Sequence, residues 1–325
     1  MSSEARLLVS ASPHIRDRAS TRSLMLDVII ALVPSLIASF LVFGVRALTL
    51  TAVTVATAVL AEAVARKVMR REDTVADLSA VVTGMLLAFN LPPTLPYWMA
   101  ALGAVIAVVV VKQMFGGLGN NFVNPALVGR VVLMISFPVA MTQWTILSGT
   151  DVVAAATPLA QLKAAIAAGG PVAPGANGLP GYLDLLLGTH AGSLGEVSVL
   201  ALLLGAAYLL ARRTIAPWTP LAFVATVALF AAVVGQPPIY HMMSGGLLLG
   251  AIFMATDYTT SPLTWKGKLV FGFGCGLITG LIRLFGGMDE GVSYSILLMN
   301  ILVPHIDKWT RPVPLGGGVR HARRA

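Results

Sequence analysis

The residues best suited to chemistry lie in one short run, Gly116-Gly117-Leu118-Gly119-Asn120-Asn121-Phe122-Val123-Asn124-Pro125. Glycines let a backbone approach a ligand closely. The three Asn amides offer donors and acceptors that suit a ring system with carbonyls and ring nitrogens. The same residues suit a helix-capping turn, in which Asn precedes Pro, and the run alone does not decide between the two. Ionisable residues in apolar surroundings form a second set: Asp27, Arg130 and Arg283 within apolar stretches, and Asp257 at the end of one. A charge at mid-bilayer costs about 2.5–3.5 kcal/mol on insertion scales, so it marks either a functional group or a structural ion pair near an interface. Soluble-enzyme signatures are missing: there is no Walker A motif, no paired Cys motif and no G-x-S-x-G, and His14, His190, His241, His305 and His321 lack metal-ligand spacing. The single cysteine, Cys275, excludes an intrachain disulfide and any thiolate-held zinc or iron–sulfur site. If the protein handles electrons, its carrier is held by other means.

The elements that position these residues are membrane helices. Of 325 residues, 57% are hydrophobic and only 11% charged, against about 25% charged in soluble domains. A net charge of +8 would suit nucleic acid, but the charges sit in short clusters between apolar runs, which is membrane topology rather than a basic binding face. A spanning helix needs roughly 20 mostly apolar residues. The pattern predicts spans near 23–44, 47–65, 78–91, 95–114, 125–140, 196–211, 219–236, 240–256, 268–287 and 292–307. The expected fold is therefore an all-α integral membrane protein. The first apolar run begins near Leu24 with no small-residue cleavage pattern after it, so no signal peptide is expected.

The third and eighth spans are short, ended by Asn90-Leu91-Pro92-Pro93 and interrupted by Ser244-Gly245-Gly246. Broken segments at matching places in two halves point to a site in transporter-like folds. Gly84 matches Gly250, and Met114-Phe115-Gly116-Gly117 matches Leu284-Phe285-Gly286-Gly287. Five spans per half make the second repeat inverted. With the N-terminus in the cytoplasm, 18 of 22 Lys and Arg residues are cytoplasmic, Lys112 among them; Arg46 and Lys163 lie outside, and Arg130 and Arg283 lie at or within spans. The organisation expected is a first repeat over 1–140 with a cytoplasmic N-tail, an extracytoplasmic loop over 141–195, a second repeat over 196–308 and a basic cytoplasmic tail over 309–325. Loops this long are usually functional or disordered.

Five motifs in order carry a resemblance: Ser12-Pro13-His14-Ile15-Arg16, Asp77-Leu78-Ser79-Ala80-Val81-Val82-Thr83-Gly84, the Gly116–Pro125 run, Phe253-Met254-Ala255-Thr256-Asp257 and the stretch from Gly291 to Asn300. Together they resemble the D subunit of Rnf ion-translocating electron-transport complexes, which is related to the B subunit of the sodium-pumping NADH:quinone oxidoreductase. The resemblance implies a subunit, in a prokaryotic cell membrane, of a complex that couples electron transfer between ferredoxin and NAD to Na⁺ or H⁺ movement. It implies FMN joined through its phosphate to a threonine hydroxyl. The matching stretch is Asp151-Val152-Val153-Ala154-Ala155-Ala156-Thr157, in which Ala154 and Ala155 stand where the family has Ser/Thr and Gly. Thr157 becomes the expected acceptor; by itself the stretch reads as the N-cap of a loop helix before Pro158. The small alanines predict an unshielded hydroxyl. A non-covalent flavin, riboflavin or a second one, is expected at Asn121, Asn124 and Asp257. Expected partners are the other Rnf subunits, a flavin transferase and the bilayer, with no nucleic acid. A stand-alone secondary transporter without flavin, or a purely structural anchor for redox partners, would have the same spans.

Overall fold

The computed structural model describes residues 20–148, 151–169, 174–175, 178–288 and 290–312. The Ser12–Arg16 motif, the tail charges Arg6, Arg18, Arg320, Arg323 and Arg324, and Thr150, Gly170, Pro171 and His321 lie outside the described residues.

Helices occupy each of the ten apolar stretches. Helix α1 (Thr21–Phe43) starts at a capping box formed by Ser20 and Ser23 and stops at Gly44, whose φ of 66° ends the helical path. Helix α2 (Val45–Val68) follows at once and places Arg66 and Lys67 in its last turn, where cations complement the helix dipole. Helix α3 (Ser79–Phe89) has 11 residues, about 16 Å at roughly 1.5 Å per residue, and cannot cross a bilayer alone. Helix α4 (Tyr97–Val105) continues as a π-helix over Ile106–Gln113. Asn124 caps α5 (Pro125–Ser136), with the short α6 (Pro138–Met141) behind it.

The 141–195 stretch is more structured than an irregular loop. It opens with an antiparallel hairpin of β1 (Thr145–Ser148) and β2 (Asp151–Ala154), in which Thr145 pairs with Ala154. Helices α7 (Pro158–Ala167) and α8 (Tyr182–Leu187) follow. The fold is all-helical as expected, with this one two-stranded ribbon added among the described residues. The end of this stretch packs into the core. Residues 190–197 are all buried, and the amides of Leu194 and Gly195 donate to Leu91 O (3.1 Å) and Phe89 O (2.9 Å). The last carbonyls of a short buried helix need partners, and this returning segment supplies them.

Helices α9 (Val199–Ala211) and α10 (Trp218–Val233) open the second half. The eighth stretch is broken into α11 (Pro238–Met243), a turn at Ser244–Gly246 with Gly245 at φ 66°, and α12 (Leu247–Leu249) running into a π-helix over Gly250–Met254. Helices α13 (Trp265–Phe285) and α14 (Val292–Thr310) complete the chain. Among the described residues, three helices, Thr21–Phe43, Val45–Val68 and Trp265–Phe285, are long and apolar enough to cross a membrane on their own, and five shorter apolar helices accompany them. In each half the second helix is the hub: α2 packs on α3 and α4, and α10 packs on α13. The halves meet where α1 lies on α9 and α5 on α14. One apolar core runs through both, including Leu32, Leu87, Phe89, Phe223, Phe253 and Ile296.

Candidate functional site

Asn121, Asn124 and Asp257 line one cleft of about 70 Å³ at the seam of the two halves, together with Ser79 and Lys112. That is below the roughly 300–1,000 Å³ of small-molecule sites. Its apolar walls include Val82 and Leu86 from α3, Leu209 from α9 and Phe253 from the π-helix. The three expected residues are engaged differently. Asn124 Oδ1 accepts from the Ala126 and Leu127 amides (3.1 and 3.4 Å), and its Nδ2 donates to Met254 O at 3.4 Å. It is therefore the helix cap that the Asn-Pro pair allowed. Asp257 accepts from Thr259 and Thr260 hydroxyls at 3.1 and 3.2 Å and closes its own turn. Asn121 is 6% exposed and its Oδ1 has no partner. This orphaned buried acceptor on the cleft wall suits a ligand group that donates an N–H.

Lys112, expected among the cytoplasmic topology charges, is 1% exposed. Its Nζ sits 3.0 Å from Glu62 Oε1 and 2.6 Å from Ser79 Oγ, and Gln113 Nε2 donates to the same Glu62 oxygen at 2.6 Å. The pair ties α2 to the end of the fourth stretch and sets a cation in the cleft wall. Sequence reading passed over Glu62, although it is the lone carboxylate in the second apolar run, which is the signal that marks such residues.

The other intramembrane charges are structural or paired. Asp27 accepts from Tyr208 Oη at 3.0 Å and meets Arg212 at 3.4 Å, joining α1 to α9. Arg130 is 4% exposed and bonds Glu290 at 2.5 Å, Asn90 at 2.9 Å and Ser293 at 3.0 Å. Arg283 is 2% exposed and donates to the His241 and Ser244 carbonyls (2.7 and 3.1 Å) at the end of α11. It does not snorkel; it serves carbonyls freed by the break. Glu196 and Glu290, which complete this cluster, were not picked out from sequence, because both fall at the edges of apolar runs.

Thr157 stands at the start of α7, as its local sequence allowed, and its Oγ1 accepts from the Ala160 amide at 3.2 Å. The expectation of an unshielded hydroxyl is corrected: Thr157 is 5% exposed. Leu162 on α7 packs with Leu179, Leu185 and Tyr240, and this small core buries the helix start. The three alanines before Thr157 line an open groove of about 510 Å³ with Trp144, Gln143 and Thr94. The Trp144 indole gives this groove an aromatic wall, and Thr157 itself is not part of its lining.

A helical body of several apolar helices, with a cleft between two halves and a small hairpin-and-helix subdomain, is that of a multi-pass membrane protein. The sequence matches the NQR2, RnfD, RnfE family over residues 8–316. It is 50% identical over 311 residues, 95% of each chain, to the D subunit of the Na(+)-translocating ferredoxin:NAD(+) oxidoreductase complex of Acetobacterium woodii. It is 43% identical over 95% of its length, and 96% of the relative's, to the D subunit of the proton-translocating ferredoxin:NAD(+) oxidoreductase complex of Clostridium ljungdahlii. With the D subunit of the ion-translocating oxidoreductase complex of Escherichia coli it shares 37% identity over 94% of its length and 97% of the relative's. The chain belongs to the NQR2, RnfD, RnfE family.

Proposed function

We propose that this chain is the membrane subunit of an Rnf-type complex that couples electron transfer between ferredoxin and NAD to Na⁺ or H⁺ translocation. The observation that carries it is the 50% identity, over 95% of both chains, to a protein so named. Ferredoxin and NAD react on partner subunits, because this chain has one cysteine and no nicotinamide motif. It crosses a prokaryotic cell membrane ten times with both termini in the cytoplasm. Two inverted five-span repeats account for the matching hubs at α2 and α10 and for the paired seams of α1 with α9 and α5 with α14.

Its role is to relay electrons through FMN esterified to Thr157 by a flavin transferase, with riboflavin or a second flavin held non-covalently against Asn121. Bound flavin supplies one- and two-electron chemistry. The chain's own residues tether it, shield it and set the charge around it. Thr157→Ala removes covalent in-gel flavin fluorescence from the correctly inserted protein; fluorescence that persists in that variant overturns the assignment. In the cleft, an unpaired ligand donor or acceptor costs about 1–3 kcal/mol. The Asn121→Ala variant therefore loses non-covalent flavin on purification while the wild type retains it, and equal content in the two counts against the site. A transporter lacking flavin is distinguished by the intact polypeptide mass, which shows no added FMN phosphoryl group.

A further inference from the structure

At the end of the bundle where α10 and α13 begin, a cavity of about 220 Å³ is lined by Arg213, Thr219, Tyr258, Ser261 and Lys268, among others. That is the liquid volume of about seven waters at roughly 30 Å³ each, which is room for a phosphate and part of its hydration. Its polar groups are donors in excess. Among the described residues, Arg213 and Lys268 have neither an ion pair nor a side-chain hydrogen bond. Thr219 is 1% exposed, yet its hydroxyl has no hydrogen-bond partner among them either. A buried hydroxyl normally finds one. Pro217 gives α10 no side-chain cap and Pro220 has no amide to offer, so the amides of Trp218 and Thr219 stay open at the helix start.

Carboxylates on adjoining segments are engaged elsewhere. Asp27 is held by Tyr208 and Arg212. Asp257 accepts from the Thr259 and Thr260 hydroxyls and lines the other cleft rather than this cavity. Two unpaired cations, a buried free hydroxyl and an uncapped helix N-terminus therefore converge on one space, and that donor set suits a phosphate.

The cavity also lies at the edge of the apolar surface. Trp218 and Trp265, the first residues of α10 and α13, are both exposed, with ring centroids 6.2 Å apart. From them the helices run on through exposed apolar side chains, Leu221 and Leu229 on α10 and Val270 and Phe273 on α13. Tryptophans so placed mark the headgroup level of a bilayer. A phosphate held here has hydrocarbon beside it, and basic pockets between membrane helices take anionic headgroups.

We propose that this cavity binds the phosphate of an anionic phospholipid. Arg213 and Lys268 neutralise the headgroup. The Thr219 hydroxyl and the first amides of α10 donate to the phosphate oxygens, and the acyl chains follow the exposed faces of α10 and α13. The topology proposed above puts the site in the cytoplasmic leaflet, but binding does not depend on which side it faces, and no flavin takes part.

Native mass spectrometry of the full chain, delipidated in detergent and then given lipid, tests this. The wild type should retain phosphatidylglycerol in preference to phosphatidylcholine. Arg213→Ala/Lys268→Ala should weaken phosphatidylglycerol binding on the order of tenfold and leave phosphatidylcholine binding as it was. Lys266→Ala/Lys308→Ala removes two exposed cations outside the cavity and should keep the preference. No preference in the wild type, or an equal loss in both double variants, overturns the inference. Thr219→Val keeps charge and shape and removes only the hydroxyl, so it carries the test if the charge variant does not insert. It should weaken phosphatidylglycerol binding too, and unchanged binding in it overturns the inference. Inorganic phosphate should not displace the lipid; displacement by equimolar phosphate would show a site for the free anion and overturn the assignment to lipid.

Discussion

Arg130 illustrates what a buried cation contributes in this protein. Its guanidinium meets Glu290, Asn90 and Ser293 at once, so it binds α5 to the end of α3 and the start of α14. Removing one member of a buried ion pair leaves the other charge uncompensated and costs about 3–5 kcal/mol. Arg130→Leu should therefore lower the thermal unfolding temperature of the solubilised protein sharply, and a shift no larger than that of a surface variant would show that Glu290 finds another partner. Thr157 acts at the same scale in a smaller way. Its hydroxyl caps α7, so Thr157→Ala should also cost about 1 kcal/mol, whereas Thr157→Ser keeps both the cap and the acceptor oxygen and should retain covalent fluorescence. Loss of fluorescence in the serine variant would mean that the methyl group matters to attachment.

At the scale of elements, the short helices hold together because small residues let them approach closely. A Cβ at Gly205 on α9 would come within 2.3 Å of Ala31 O on α1, and one at Gly250 within 2.3 Å of Val292 Cγ1 on α14. Overpacking of this kind costs about 1–3 kcal/mol. Gly205→Val should loosen the α1–α9 seam and lower thermal stability, while Gly287→Ala, with nothing within 4 Å, should change it by no more than about 0.5 kcal/mol. Equal shifts in the two variants would show that the seam does not depend on this contact. The interrupted elements follow the same physics. Each break frees backbone groups, and Arg283 satisfies those of α11 as the 194–195 segment satisfies those of α3. Irregular backbone at membrane depth persists only where protein buries and pairs it.

For the whole molecule, the Lys/Arg pattern predicts that the hairpin and α7 lie on the side opposite both termini. Cysteine labelling checks this, since the native Cys275 is buried. Thr157 is a poor reporter because it is buried too, so the exposed Ala154 and the 77% exposed Trp309 serve instead. Ala154→Cys should react with an impermeant reagent added outside, and Trp309→Cys only after permeabilisation. The reverse pattern would invert the topology. The correction to Lys112 does not weaken the bias, because one buried ion pair leaves the remaining clusters unchanged.

Composition and the recurrence of apolar runs were enough to read membrane helices in the sequence, because a bilayer demands about 20 apolar residues per crossing wherever they occur. Motif order likewise sufficed for the family, and Asn-Pro or Thr-Pro for the caps of α5 and α7, because capping is local. The joining of Asn121, Lys112 and Asp257 in one cleft, from segments up to 145 residues apart, was decided only by the tertiary structure. So were the pairing of Glu62 with Lys112, the burial of Thr157 and the meeting of Glu196 with Arg130. The cost of a buried charge shows in the sequence as a lone polar letter, but its compensation comes from partners on other helices, and which helices those are is fixed by packing rather than by spacing along the chain.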